Sequence, residues 1–147
     1  MLALCGLTLV SFSACQAKAG QIEVSQAYAF ATAPGQANGA VFMKIYNDTG
    51  KEVHIKGAKT DVSPRAELHT MSMAGDVMQM RQVEAYSIAA GAAYTLEPMH
   101  DHIMLMDLKA PLKIGDHFDI TLDTSNGDVL VSVEVIAPGT MPEEAHH

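Results

Sequence analysis

Apolar and polar positions alternate in short runs along most of this chain, and the runs are broken by turn residues. From Gln21 onward the pattern reads strand, turn, strand. Ile22 to Phe30 is β-prone and runs into a turn at Pro34-Gly35. Ala40 to Tyr46 follows and is ended by Asn47-Asp48-Thr49-Gly50, a strong turn signal. Val53 to Ala58 and Ala66 to Met73 come next. Ala74-Gly75-Asp76 then forms a hairpin turn into Val77 to Val83. Ala90-Gly91 precedes Tyr94 to Leu96, and His100 to Leu108 is a clear strand that Pro111 leaves behind. Phe118 to Leu122 and Val129 to Ile136 form a last pair, joined through Ser125-Asn126-Gly127-Asp128. No segment holds a 3.6-residue apolar period, so helices are not expected. Strands of this length and spacing predict an all-β antiparallel sandwich or barrel in one domain. Residues 20–137 form that domain, and residues 138–147 are a polar tail.

Composition narrows the class. At 147 residues with 48% hydrophobic content, the chain can build one real core. Its formal charge is −8, and −9 without the first nineteen residues, whose one charged side chain is Lys18. An acidic surface argues against nucleic acid and anionic lipid as partners. Met1 to Val10 is almost wholly apolar and leads into Ser11 to Ala14, the pattern of an export signal over residues 1–19. Two processing sites compete. Ala17-Lys18-Ala19 is a small-x-small cleavage pattern before Gly20, and Phe12-Ser13-Ala14-Cys15 resembles a lipobox in which Cys15 carries lipid. A periplasmic location follows from either, with membrane attachment only if Cys15 is lipidated. Both cysteines, Cys5 and Cys15, fall in this segment, so the domain itself has no thiol to pair or to ligate with.

The methionines then change the picture. Seven of the ten lie between Met71 and Met106. His69 is followed after ten residues by Met80, after twenty-one more by His102, and Met104 lies one residue beyond that. Strand alternation puts His69, Met71 and Met73 on one face, opposite Leu68. It puts Met78 and Met80 on one face, and His100, His102, Met104 and Met106 opposite Ile103 and Leu105. The hairpin makes His69 and Met80 neighbours, while sequence alone does not bring the third strand alongside. Thioether sulfur and imidazole nitrogen form a soft donor set suited to Cu(I). Methionine also fills cores as a flexible packing residue. Met43 and Met99 are read that way, Met71, Met73, Met78 and Met106 stand evenly between the two roles, and His54 and His117 are read as ordinary surface histidines. His100 stays open between ligand and bystander.

The order His69, Met80, His102-Ile103-Met104 resembles the signature of the periplasmic copper chaperone family PCuAC. Ala66-Glu67-Leu68-His69-Thr70-Met71, Met80-Arg81 and Leu108-Lys109-Ala110-Pro111-Leu112-Lys113-Ile114-Gly115-Asp116 agree with it. So does Ala33-Pro34-Gly35 through Asn38-Gly39-Ala40-Val41, and the likeness covers about Gln21 to Ile136. Tyr28 and Phe30 depart from it, standing where the family often has Trp and Arg, at a place expected to lie away from the motif. The resemblance implies a cupredoxin-like, Greek-key β-sandwich, a monomer, that binds one Cu(I) through His69, Met80, His102 and Met104. It further implies delivery of copper for the binuclear centre of cytochrome c oxidase, often beside a thiol-bearing copper chaperone. Some members carry a tail that binds Cu(II), which this chain matches weakly through Met141, His146 and His147.

Other classes fit less well. An electron-transfer cupredoxin needs a cysteine thiolate beside two histidines. A metal-dependent enzyme would want a nucleophile motif or a carboxylate–histidine set that is not apparent. A metal-free adhesion sandwich leaves the His/Met clustering unexplained. A copper-storage or copper-resistance protein remains the other reading within the binding class. No catalytic residue and no bound organic cofactor are expected.

Overall fold

A computed structural model describes residues 20–142; the export segment and residues 143–147 lie outside the described residues. Ten strands fill the described chain, and it contains no helix. They are β1 (Ile22–Phe30), β2 (Gly39–Asn47), β3 (Val53–Thr60), β4 (Ser63–Ala74), β5 (Val77–Gln82), β6 (Tyr86–Ile88), β7 (Ala93–Leu96), β8 (His102–Met106), β9 (His117–Thr124) and β10 (Gly127–Ile136). The ladder runs β5-β4-β8-β2-β1-β10-β9-β3-β6, with β7 added to β2. A further β3–β4 pairing bends this ladder back on itself, closing β4, β8, β2, β1, β10, β9 and β3 into a flattened, sandwich-like barrel. Closure leaves few open edges. The all-β single domain expected from the alternation pattern, and the cupredoxin-like sandwich that the resemblance implies, are therefore the fold observed.

Its details follow from local chemistry. Gly75, at a φ of 65°, lets Gly75-Asp76 turn β4 directly into β5 with Ala74 opposite Val77. Asn47 is fully buried at the end of β2. Its Nδ2 donates to the carbonyls of Lys51 and Ile88, and its Oδ1 accepts from the Thr49 amide, which ties the predicted turn to β6. The interior is packed with Met43, Ile45, Ile55, Ile88, Leu96, Ile103, Leu105, Ile120 and Leu122. Each such side chain contributes about 1.5–3 kcal/mol by leaving water.

Four details differ from the sequence reading. The β1–β10 pair is parallel, with Tyr28 opposite Glu134, so the sheet is not wholly antiparallel. Strand β6 has no counterpart in that reading, because three residues between turns carry too little alternation to register. The strand expected over His100 to Leu108 contracts to His102–Met106, since Met99 and Asp107 take left-handed φ angles of 70° and 59°. Met99 is also no core residue: it sits in that turn, 61% exposed, while Met43 is buried as expected.

Candidate functional site

Strand β4 carries the site, because β5 and β8 flank it on either side. Leu68, Ile103 and Leu105 point into the core, which turns His69, His102 and Met104 to the outer face. On β8, His102 stands opposite His69 and Met104 opposite Glu67. On β5, Met80 stands opposite Met71, two pairs along from His69, whose own partner is Gln82, so both lie on one face. β5 and β8 are two strands apart, roughly 10 Å at ordinary sheet spacing. Met80 and His102 nevertheless touch over the top of β4, with Nε2 of His102 3.1 Å from Sδ of Met80. The imidazole rings of His69 and His102 are 5.9 Å apart between centroids. Met104 follows His102 on the same face and lines a cavity of about 450 Å³ together with Phe30, Asn38 and Ala40. The structure thus places His69, Met80, His102 and Met104 on one face, with Met80 and His69 beside His102 and Met104 two residues further along β8.

The protonation pattern is set by what each ring nitrogen meets. Nδ1 of His102 lies 2.9 Å from the His100 carbonyl, which only accepts, so Nδ1 carries the proton. In the neutral ring Nε2 then offers a lone pair, and it faces a thioether that has no proton to give. Two lone pairs meeting at 3.1 Å are an arrangement that a cation between them would resolve. His69 shows the same asymmetry. Its Nε2 lies 2.9 Å from Oε2 of Glu67, while its Nδ1 is buried with no partner. A carboxylate accepts the Nε2 proton, so the orphaned Nδ1 is left as a bare acceptor. Among the described residues no group of three or more His, Cys, Asp or Glu is placed to hold a metal ion.

Supporting groups escaped the sequence reading. Arg65 reaches Glu67 at 3.4 Å and Asp107 at 3.1 Å, holding the carboxylate that orients His69. The Glu-x-His spacing of Glu67 and His69 on a strand is the signal that could have exposed this pair, since it puts both on one face. Tyr86, from β6, is buried with its hydroxyl 2.7 Å from the His69 carbonyl and 2.8 Å from the His102 carbonyl. These carbonyls belong to the last pair of the β4–β8 ladder, so the hydroxyl caps the fork where the strands part. Burial, foremost, and then the negative charge of Asp101 raise the Tyr86 hydroxyl well above its usual pKa. Tyr94, 5.4 Å from Tyr86 between ring centroids, is raised by burial and by its hydrogen bond to the Asp101 carboxylate.

Tyr28 and Phe30, expected from the sequence to lie away from the motif, instead stack toward it through Phe42. Tyr28 and Phe30 pack on Phe42 at 5.2 and 5.5 Å, and Phe42 lies 6.3 Å from the His102 ring. Strand β2 is what closes the gap: it pairs with β1 on one side and β8 on the other. His100 lies before β8, exposed, near Glu97, and contributes only its carbonyl. His54 pairs with Ser87 and Glu52 on the surface, as expected of it.

The fold and the face it presents define a PCuAC-type domain. The copper-bound PCuAC domain from PmoF2 superposes with a TM-score of 0.70 over 82% of this chain and 96% of that one, at 19% identity, a likeness of fold. DR1885 from Deinococcus radiodurans, solved in its CuI form, gives a TM-score of 0.68 at 31% identity, covering 85% of each chain. The family model described as putative lipoprotein LpqE-like matches residues 22–135, and the chain belongs to that family. The putative lipoprotein Lxx21020 of Leifsonia xyli subsp. xyli is 32% identical over 111 residues. That stretch covers 75% of this chain and 66% of the relative, so the chain spans just under two thirds of the relative's length.

Proposed function

We propose that this domain binds one Cu(I) through His69, Met80, His102 and Met104 and carries it as cargo. The observation that carries the reading is the pair of unshared lone pairs on His102 Nε2 and Met80 Sδ, 3.1 Å apart. The buried Nδ1 of His69, which has no hydrogen-bond partner, supports it as well. Two imidazoles and two thioethers are neutral and soft, a donor set that favours Cu(I) over harder ions. The solved relatives named as copper-bound and CuI-bound fit this reading.

The set also argues for transport over catalysis or electron transfer. It contains no thiolate, so an acceptor with cysteine ligands competes well for the metal. Met80 lies on the edge strand and is 44% exposed, which leaves an incoming ligand room to approach. The acceptor we assign is the copper-centre subunit of cytochrome c oxidase or a thiol-bearing copper chaperone serving it. The domain works as a monomer outside the cytoplasm. The relative's name as a lipoprotein and the family description favour lipid attachment at Cys15 over cleavage after Ala19. The Cu(II) site at the tail rests on Met141, His146 and His147, of which both histidines lie outside the described residues.

The test is anaerobic titration with Cu(I) against a chromophoric chelator. Wild type should take up one tightly held equivalent without a blue absorption band, and the double variant His102→Ala, Met104→Leu should lose it. Unchanged tight binding in that variant would remove the assignment. An intense visible band would favour an electron-transfer centre instead.

A further inference from the structure

The β4–β5 hairpin extends past the four-residue site and carries more thioether than that site uses. Met71 pairs with Met80 across the two strands, and Met73 pairs with Met78. Cross-strand partners share a face, so all four sulfurs lie on the face of His69 and His102. The opposite face of the hairpin is mostly polar, with Thr70, Ser72, Gln79 and Arg81. Both faces of the outer hairpin are open to solvent, and the methionine face is left uncovered. Met73 is 62% exposed and Met78 38%, and Met71 is half-buried between them and the site. A packing role does not explain residues that pack so little. Nor does a generic apolar rim, which valine or isoleucine would form as well with better strand propensity.

We infer that Met71, Met73 and Met78 form a second, weaker Cu(I) site of thioethers alone, at which copper enters before it reaches the His/Met centre. This rests on the reading of that centre in Proposed function. Directly paired residues have Cβ atoms about 4.5–5.5 Å apart, and methionine's three rotatable bonds let such sulfurs converge on one ion. Thioethers select Cu(I) and give up no proton on binding. The copper stays Cu(I) throughout, and no redox step is involved. A site of neutral thioethers without imidazole holds the ion less tightly, which suits an entry point. Met80 links the two stations, because it stands opposite Met71 and touches His102.

The experiment uses full-length protein labelled with 13C at the methionine methyls, titrated anaerobically with Cu(I) alone. In wild type the first equivalent should shift the Met80 and Met104 methyls, and a second, weaker equivalent should shift Met71, Met73 and Met78. Met73→Leu with Met78→Leu keeps volume and apolarity and removes sulfur. It should weaken the second equivalent by roughly tenfold or more and leave the first in place. The inference is overturned if wild type binds one equivalent only, if the variant retains the second, or if the second equivalent shifts Met141 instead. It is also overturned if the variant loses both equivalents together, since ladder and centre would then be one site. The His102→Ala, Met104→Leu variant separates the two readings. Its retention of the first equivalent would sink the primary centre, whatever the ladder does.

Discussion

Nε2 of His102 and Sδ of Met80 meet at 3.1 Å across an intervening strand, with the imidazole proton committed to the far side of the ring. Neither atom has a proton for the other in the neutral state. Met80→Leu removes this sulfur at nearly constant volume. Because Met80 is a surface residue of an edge strand, stability should change by less than about 1.5 kcal/mol. Cu(I) affinity should fall by roughly tenfold or more. Chelator competition and thermal unfolding, run on the same sample, separate the two effects. Wild-type affinity in the variant would return Met80 to the role of filler.

The Tyr86 hydroxyl spans the carbonyls of both candidate histidines and belongs to a strand on neither side of them. Tyr86→Phe keeps the ring in the core and leaves two inward carbonyls without their donor. Unsatisfied buried groups cost about 1–3 kcal/mol, so unfolding should shift by that order. The fork between β4 and β8 should also loosen. Amide exchange near His69 and His102 should speed up and Cu(I) affinity should drop, and equal stability with equal affinity would mean the hydroxyl caps nothing of consequence.

Much of this arrangement was legible in the sequence, and the limits have physical causes. Alternation placed β1 at its observed bounds and put Ile103 and Leu105 opposite His102 and Met104, because strand parity depends only on local sequence. The Gly75-Asp76 turn fixed the β4–β5 hairpin for the same reason. Lateral strand order is a property of the closed sheet, and it was not legible. That order brings β8 beside β4 and puts Phe42, with Tyr28 packed on it, beside the His102 ring, although Tyr28 lies far from the motif in sequence. Tyr86 was missed because its three-residue strand lacks a pattern and its role depends on a contact across the barrel. Met99 was misread because a methionine's burial follows from whether its backbone continues the strand, and at Met99 it does not.

Glu67 accepts from His69 and is itself held by Arg65. Outer carboxylates of this kind orient a histidine and raise its basicity, and their loss typically costs 10–100-fold in metal affinity. Glu67→Gln keeps the shape and removes the charge. Cu(I) affinity should fall toward that range while the first-equivalent stoichiometry holds. No change in affinity would make the contact an incidental surface pair.

Tyr86 and Tyr94 should be the last tyrosines to ionise. Burial raises both above the ordinary value of 10.0, with the Asp101 carboxylate adding to each. A folded-state pKa above the unfolded one means the folded protein holds the proton more tightly. The linked stability is therefore fully present below about pH 10 and is lost as pH rises from there toward the higher folded values. Titration of tyrosinate absorbance should show these two ionising only together with unfolding. Reversible ionisation of all four tyrosines in the folded protein would contradict the burial and hydrogen bonding described for them.

Cargo transfer by ligand exchange requires that an acceptor bind before the donor lets go, so at least one donor ligand must be reachable. His102 is only 6% exposed, whereas Met80 is the exposed member on the edge strand. A thiolate acceptor should therefore enter on the β5 side and displace Met80 first. Cu(I)-loaded protein mixed with an apo, reduced copper domain bearing two cysteines should pass its metal on, as followed by native mass spectrometry. Substituting Met80 should speed that transfer, because the first ligand to be displaced is already gone. Burying the entry side, by a bulky Gln82→Trp beside His69, should slow transfer more than it changes affinity. Copper that stays with the donor over hours against such an acceptor would count against a carrier role and for the storage reading.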